Sequence, residues 1–218
     1  MTQGPSYDWH NAQEYLEGLL PEDIRGLETE RKRGTALPIQ PSIGPSVAQL
    51  VDILILATRP KRVLEIGTST GYSAIAMGRA LKQAGGRLTT IEIEPRLAEV
   101  ARENILDAGL EGVVEVVIDD ANLVLEEVPG PFGLILQDGD KDDYLKMLPH
   151  LVERLEPHGL LVTDDVLFPV MDLPDDARRH QYAMSLYNES LQNRADLQTV
   201  WLPVGDGVAV SVKVERTS

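Results

Sequence analysis

The chain has no cysteine, so it carries neither disulfides nor thiolate metal sites. It also lacks any apolar stretch approaching the ~20 residues that span a bilayer. The opening Met1-Thr2-Gln3-Gly4-Pro5-Ser6 has neither a basic nor a greasy segment; it reads as having no secretory signal, and a cytoplasmic location is expected. Positive charge is scarce. There are 20 Lys and Arg against 35 Asp and Glu, for a formal net charge of −15. A field of that sign repels polyphosphate and makes nucleic acid a poor partner. The best local basic patch, Arg25, Arg31, Lys32 and Arg33, is mixed with acids. His10, His150, His158 and His180 show no metal-ligand spacing and read as structural or surface groups. No internal repeat, linker or low-complexity tract interrupts the 218 residues. One domain is expected, with residues 1–45 as N-terminal helices and a loop that cap it or make oligomer contacts.

What is present is an alternation of strand and helix. Residues 8–33 read as two helices, with Tyr15, Leu16, Leu19 and Leu20 as an apolar stripe and a break at Pro21. Val47, Leu50, Val51, Leu54 and Ile55 repeat with the helical period over residues 46–58. Strands are expected at 63–66, 87–93, 113–118, 132–137 and 160–163, with helices at 73–84, 95–108 and 144–155 between them. That spacing signals βαβ units and a mostly parallel sheet. Residues 175–194 read as a further helix. The last two strands, 197–203 and 207–214, are joined by Val204-Gly205-Asp206. So short a turn cannot make a crossover, and the pair must be antiparallel. The fold class is therefore α/β: a Rossmann-like, doubly wound sheet of seven strands, mostly parallel with a C-terminal antiparallel hairpin and helices on both faces.

Ligands of such sheets sit beyond the carboxyl ends of the strands, and each of the five parallel strands ends in an acid. These are Glu65 before Gly67, then Glu92, Asp119-Asp120, Asp138 with Lys141, and Asp164-Asp165. Gly67 lets backbone approach a ligand and Gly71 allows a helix start to pack closely. Glu92 lies where an acid can accept hydrogen bonds from ribose hydroxyls. The turn Gly67-x-x-x-Gly71 lacks the middle glycine that admits a pyrophosphate, and Glu65 is a poor neighbour for one. A cationic adenosine ligand, S-adenosylmethionine, suits this turn better than a dinucleotide, with Asp120-Ala121 flanking the adenine. Asp138, Asp164 and Asp165 come from adjacent strands and can converge. Oxygen ligands without His or Cys favour Mg²⁺, Ca²⁺ or Mn²⁺.

With these residues in view, the chain resembles the cation-dependent, class I S-adenosylmethionine-dependent O-methyltransferases of the catechol and caffeoyl-CoA type. The resemblance covers roughly residues 38–213. It rests on Val63-Leu64-Glu65-Ile66-Gly67-Thr68-Ser69-Thr70-Gly71-Tyr72-Ser73, Ile91-Glu92-Ile93-Glu94-Pro95, Asp120-Ala121, Asp138-Gly139-Asp140-Lys141, Asp164-Asp165-Val166-Leu167 and Val204-Gly205-Asp206-Gly207. It implies that Glu65, Gly67, Ser69 and Ser73 cradle the methionine part, with Ile43 near its tail. Glu92 would hold the ribose, Asp120 and Ala121 the adenine side, and Ile93 and Asp138 would complete the cofactor contacts. Asp138, Asp164 and Asp165 match the family's metal ligands and Lys141 its general base. A small phenolic acceptor, walled by the N-terminal helices, residues 38–45 and residues 168–174, and a homodimer are implied as well. Three positions depart from the family pattern: Asp165 stands for Asn, Ala48 for Gly, and Gln137 for a hydrophobic residue. The residues leave open a tRNA wobble-uridine methyltransferase, a natural-product tailoring enzyme and a non-catalytic cofactor-binding scaffold.

Overall fold

The computed structural model describes residues 9–20, 43–175 and 177–215. Its elements are α1 (Trp9–Glu17), α2 (Pro45–Thr58), β1 (Arg62–Ile66), α3 (Tyr72–Ala84), β2 (Arg87–Glu92), α4 (Pro95–Asp107) and β3 (Val114–Ile118), followed by the single turn α5 (Ala121–Val124). Then come β4 (Phe132–Gln137), α6 (Tyr144–Arg154), β5 (Leu155–Thr163), α7 (Arg179–Gln192), β6 (Leu197–Leu202) and β7 (Val208–Lys213). The break at Pro21, the second N-terminal helix, the basic patch from Arg25 to Arg33 and residues 34–42 lie outside the described residues.

The seven strands pair in the order β3-β2-β1-β4-β5-β7-β6. The first five are parallel, and β7 runs antiparallel to both β5 and β6. From β1 the chain winds outward to β2 and β3, then returns to lay β4 on the other side of β1. That reversal opens a crevice beyond the carboxyl ends of β1 and β4. Alternation along the strands feeds two cores. Val63, Leu134, Leu136 and Val162 meet Val47, Val51 and Ile55 of α2 and the alanine-rich face of α3. On the opposite face Leu64, Ile66, Ile135 and Leu161 meet Met147, Leu148 and Leu151 of α6 and Met184, Tyr187 and Leu191 of α7.

Local chemistry sets the helix starts. Proline occupies the first turn of α2 and of α4, where its missing N–H costs nothing. Glu94 caps α4 by accepting the Arg96 N–H. Gly71, at φ +90°, opens α3, and a Cβ there would press on Ala101 of α4, which is the close packing expected of that glycine.

Two expected boundaries move. β5 starts at Leu155 rather than 160, because Leu155 pairs with Phe132 before the register shifts. Pro157-His158-Gly159 is thus an irregularity inside a strand, with His158 at φ +62°, and not the end of a helix. α7 starts at Arg179 rather than 175; turns closed by the Ala177 N–H on Pro174 O and the His180 N–H on Ala177 O precede it. The α1 stripe also differs: Tyr15, Leu16 and Leu19 are exposed. Among the described residues no helix is long and apolar enough to cross a membrane.

Candidate active site

A cavity of about 350 Å³ opens at the reversal between β1 and β4. A larger and more open groove of about 990 Å³ lies near the amino ends of β1 and β2, beside Arg62 and Arg87, away from the strand-end acids. The cavity is lined on one side by Gly67, Ser69, Glu92, Ile93, Asp120 and Ala121. On the other side stand Asp138, Lys141, Asp165, Phe168, Arg179 and His180.

The glycine turn is held from both flanks. The Gly67 N–H donates to Ile91 O (3.0 Å), and the Asp138 N–H to Ile66 O (2.9 Å). Gly67 sits at φ +93°, and a Cβ there would collide with the Asp138 carbonyl. Glycine is required at this point by the neighbouring strand end as well as by any ligand. The Ser69 N–H donates to Glu92 Oε2 (2.7 Å) and the Glu94 N–H to Glu92 Oε1 (3.0 Å). Each carboxylate oxygen keeps a further lone pair, so Glu92 can still accept from a hydroxyl. Asp120 caps α5 by accepting the Asn122 N–H at 2.8 Å.

Glu65, Ser73 and Ile43 stand behind this lining. Ile43 is packed in the core with α2 and α3. Glu65 is wholly buried, accepting from Thr90 Oγ1 at 2.6 Å, and Thr90 in turn lies 2.5 Å from Thr68 Oγ1. Burial pushes its carboxyl up to about 8, against the lowering by the Ser73 and Thr90 hydroxyls. Glu65 Oε1 and Ser69 Oγ are buried without hydrogen-bond partners. Of the two, Ser69 lines the cavity, where a ligand's ammonium or hydroxyl would satisfy it, whereas Glu65 stays behind the turn.

Across the cavity the structure brings Asp138, Asp164 and Asp165 together, each offering a carboxylate oxygen within 4.8 Å of the others. Lys141 Nζ sits 3.0 Å from Asp138 Oδ1 and 2.7 Å from Asp165 Oδ2, and donates to Gly139 O at 3.1 Å. The pairing goes to Asp138 and Asp165, because Asp140 is occupied in capping its own turn at the Asp142 N–H. Asp165 adopts φ +64°, a left-handed conformation that Asp and Asn tolerate best after glycine.

Burial pushes the Asp138 carboxyl up to about 6, opposed by Lys141 and reinforced by Asp165. Burial, then Asp138 and Asp165, push Asp164 well above the usual carboxylate range. Burial works to lower the Lys141 ammonium, but Tyr144, Asp138 and Asp165 outweigh it and leave it well above its ordinary value. Three carboxylates thus share one lysine, and Asp164 Oδ1 is buried with no hydrogen-bond partner. This all-oxygen set suits a hard divalent cation.

Several lining residues were given no role in the site from sequence: Leu97, Asn122, Met147, Arg179, His180 and Asp206. His180, read as a surface or structural group, reaches the cavity mouth with Nδ1 3.3 Å from Asp142 Oδ1, and Arg179 Nε lies 3.2 Å from Asp142 Oδ2. No local spacing announces this, because α7 folds back from far along the chain.

The sequence model of a family described as O-methyltransferase matches residues 21–214. A catechol O-methyltransferase of Mycobacterium tuberculosis is 35% identical over 70% of this chain and 70% of its own. A caffeoyl-CoA O-methyltransferase of Stellaria longipes is 25% identical over 90% of this chain and 86% of its own. Among solved structures, an O-methyltransferase of tomaymycin synthesis from Streptomyces achromogenes, in complex with S-adenosylmethionine, superposes with a TM-score of 0.77 at 25% identity, covering 94% of this chain and 96% of that one. Together with a glycine turn and an acid-lined crevice at the switch point of the sheet, these place the chain in the O-methyltransferase family, as an S-adenosylmethionine-dependent O-methyltransferase of the caffeoyl-CoA and catechol type.

Proposed function

We propose that the chain methylates a hydroxyl of a small catechol-like or phenolic acceptor, assisted by a divalent cation, Mg²⁺ first, held by Asp138, Asp164 and Asp165. The observation that carries this reading is the three-carboxylate cluster, of which Asp138 and Asp165 line the cavity that the glycine turn also lines and Asp164 is buried just behind them. S-adenosylmethionine, when bound, supplies the methyl group and a neutral thioether leaving group. The cation, when bound, supplies the positive charge that lowers the pKa of an acceptor hydroxyl. Ser69, Glu92, Ile93, Asp120 and Ala121 hold and orient the cofactor, with Glu65 and Ser73 supporting the turn from behind. The main contribution of the chain is to hold oxygen, methyl and sulfur in line, where positioning is worth ~7–11 kcal/mol.

Lys141 has two successive tasks. With the carboxylates unshielded it keeps its proton and neutralises Asp138 and Asp165. With a cation held by Asp138, Asp164 and Asp165, the ammonium would lose that stabilisation; with its proton released to solvent, the Lys141 amine would be free to take the proton of the acceptor hydroxyl. Lys141→Ala is expected to lower kcat by about 10²–10⁴ while the affinity for S-adenosylhomocysteine, by calorimetry, stays unchanged. A variant with full turnover would remove Lys141 from the mechanism.

The direct test is a mass-spectrometric screen of phenols, catechols and hydroxycinnamates for the gain of one methylene, with Mg²⁺ and with EDTA. Product only in the Mg²⁺ arm is expected; equal product in both arms defeats the metal reading. The homodimer belongs to the same proposal and is supported by the exposed Tyr15 and Leu16 of α1 and Leu19 just after it. Sedimentation is expected at twice the 24.0 kDa of one chain, and a monomer at working concentration would refute it.

A further inference from the structure

Directly beneath the carboxylates lies a polar chain that the chemistry above does not use. Gln137 and Thr163 are the residues just before Asp138 and Asp164, and they pair in register on β4 and β5. Both are wholly buried and belong to the face covered by α6 and α7. A buried amide is costly unless every polar atom is bonded, and here they are. Tyr187 OH lies 3.1 Å from Gln137 Oε1 and 2.8 Å from Thr163 Oγ1. Gln137 Nε2 donates to Tyr144 O at 3.4 Å, and Tyr144 OH donates to Gln137 O at 3.0 Å.

Proton inventory fixes the direction of every link. Tyr144 O only accepts, so the amide nitrogen of Gln137 faces it and Oε1 faces Tyr187. That oxygen only accepts, so the Tyr187 hydroxyl donates to it, and Thr163 must donate to Tyr187. The chain therefore runs one way, from Thr163 to Tyr187 to Gln137 to Tyr144, and it returns from the Tyr144 hydroxyl to the Gln137 carbonyl. That carbonyl also accepts the Asp164 N–H (3.2 Å). One peptide oxygen thus ties the residue before Asp138 to Asp164 itself. The Tyr144 ring lies 5.3 Å from Lys141 Nζ and meets the Tyr187 ring edge-on at 5.4 Å. On α7, Asn188 Nδ2 donates to Val166 O (2.8 Å), clamping the segment that follows Asp165.

We propose that the buried Thr163–Tyr187–Gln137–Tyr144 chain is a positioning device, which locks the ends of β4 and β5 so that Asp138, Asp164 and Asp165 present their oxygens to one cation. The inference rests on the metal reading above. It also accounts for Gln137 standing where the family pattern has an apolar residue: here the strand is pinned by hydrogen bonds as well as by packing.

The test uses the full chain and Mn²⁺ alone, followed by electron paramagnetic resonance, with S-adenosylhomocysteine affinity and thermal melting measured alongside. Tyr187→Phe deletes the central hydroxyl and leaves Gln137 Oε1 and the Thr163 hydroxyl unpaired. It is expected to weaken Mn²⁺ binding about tenfold, as outer partners of metal ligands do, and to leave cofactor affinity unchanged. The double variant Gln137→Leu/Tyr187→Phe also removes the orphaned amide and leaves the Thr163 hydroxyl as the unpaired group, so it regains part of the lost melting temperature, yet its Mn²⁺ affinity stays low. A double variant that regains both, or variants that bind Mn²⁺ like the parent, would reduce the chain to ordinary core satisfaction and overturn the proposal. A parent protein that binds no Mn²⁺ would instead overturn the metal reading, and this inference with it.

Discussion

Asp138→Ala is expected to lose at least about 10³-fold in turnover while the apo protein becomes no less stable at pH 7.5. The two halves of the result come from the same carboxyl. Asp138 is the residue that both shared elements meet: its N–H binds the end of β1 and its carboxylate binds Lys141. Its side chain is one of three oxygen ligands offered to the cation, and losing it leaves Asp164 and Asp165 alone.

Burial has also pushed that carboxyl up to about 6. A carboxyl raised by folding stabilises the fold below its unfolded pKa and loses that contribution as pH rises through about 6. At pH 7.5 the ionised group is therefore a load on the metal-free protein, and alanine removes it. The backbone hydrogen bond to Ile66 survives the substitution, so S-adenosylhomocysteine binding is expected to remain near the parent value. Calorimetry of cofactor binding, thermal melting with and without Mg²⁺, and a methyl-transfer assay check the three parts. Full activity of the variant in excess EDTA would remove the cation from the reaction.

The elements legible in the sequence are those whose cause is local. The glycine turn, the prolines opening α2 and α4 and the acids closing each parallel strand depend on near neighbours, and their positions follow from short patterns. The antiparallel pairing of β6 and β7 follows from a turn too short for any crossover. What was not legible depends on distant partners. β5 reaches back to Leu155 because Phe132 offers it a pairing, which overrides Pro157 and Gly159. His180 and Arg179 enter the cavity mouth because α7 packs on α6 and β5. Gln137 looked like a departure from the family pattern, and only the fold supplies its partners Tyr187 and Tyr144. Asp165 stood out as a replacement of Asn; its φ of +64° gives a conformational reason for a short Asx side chain. Glu65 was read as facing the cofactor, yet the fold sets it behind the turn, on the side of α3.

That placement makes Glu65 the source of a pH dependence that Glu65→Gln is expected to remove. Its carboxyl is held near 8 against an ordinary 4.5, so the folded chain keeps a proton that the unfolded chain has already released. The stabilisation is complete below pH 4.5 and is lost as pH rises through about 8. A shift of this size on a fully buried group is worth up to about 5 kcal/mol across the window. Asp164 is also pushed up and adds to the parent's slope, but it is present in both proteins and cancels in the difference. Gln keeps the shape of the neutral acid and an oxygen for the Thr90 hydroxyl, and it has no proton to lose. The urea midpoint of the variant is therefore expected to gain steadily on that of the parent as pH rises from 5.5 to 8.5. Parallel slopes would mean that Glu65 is ionised in the fold, with a cation beside it that the described residues do not supply.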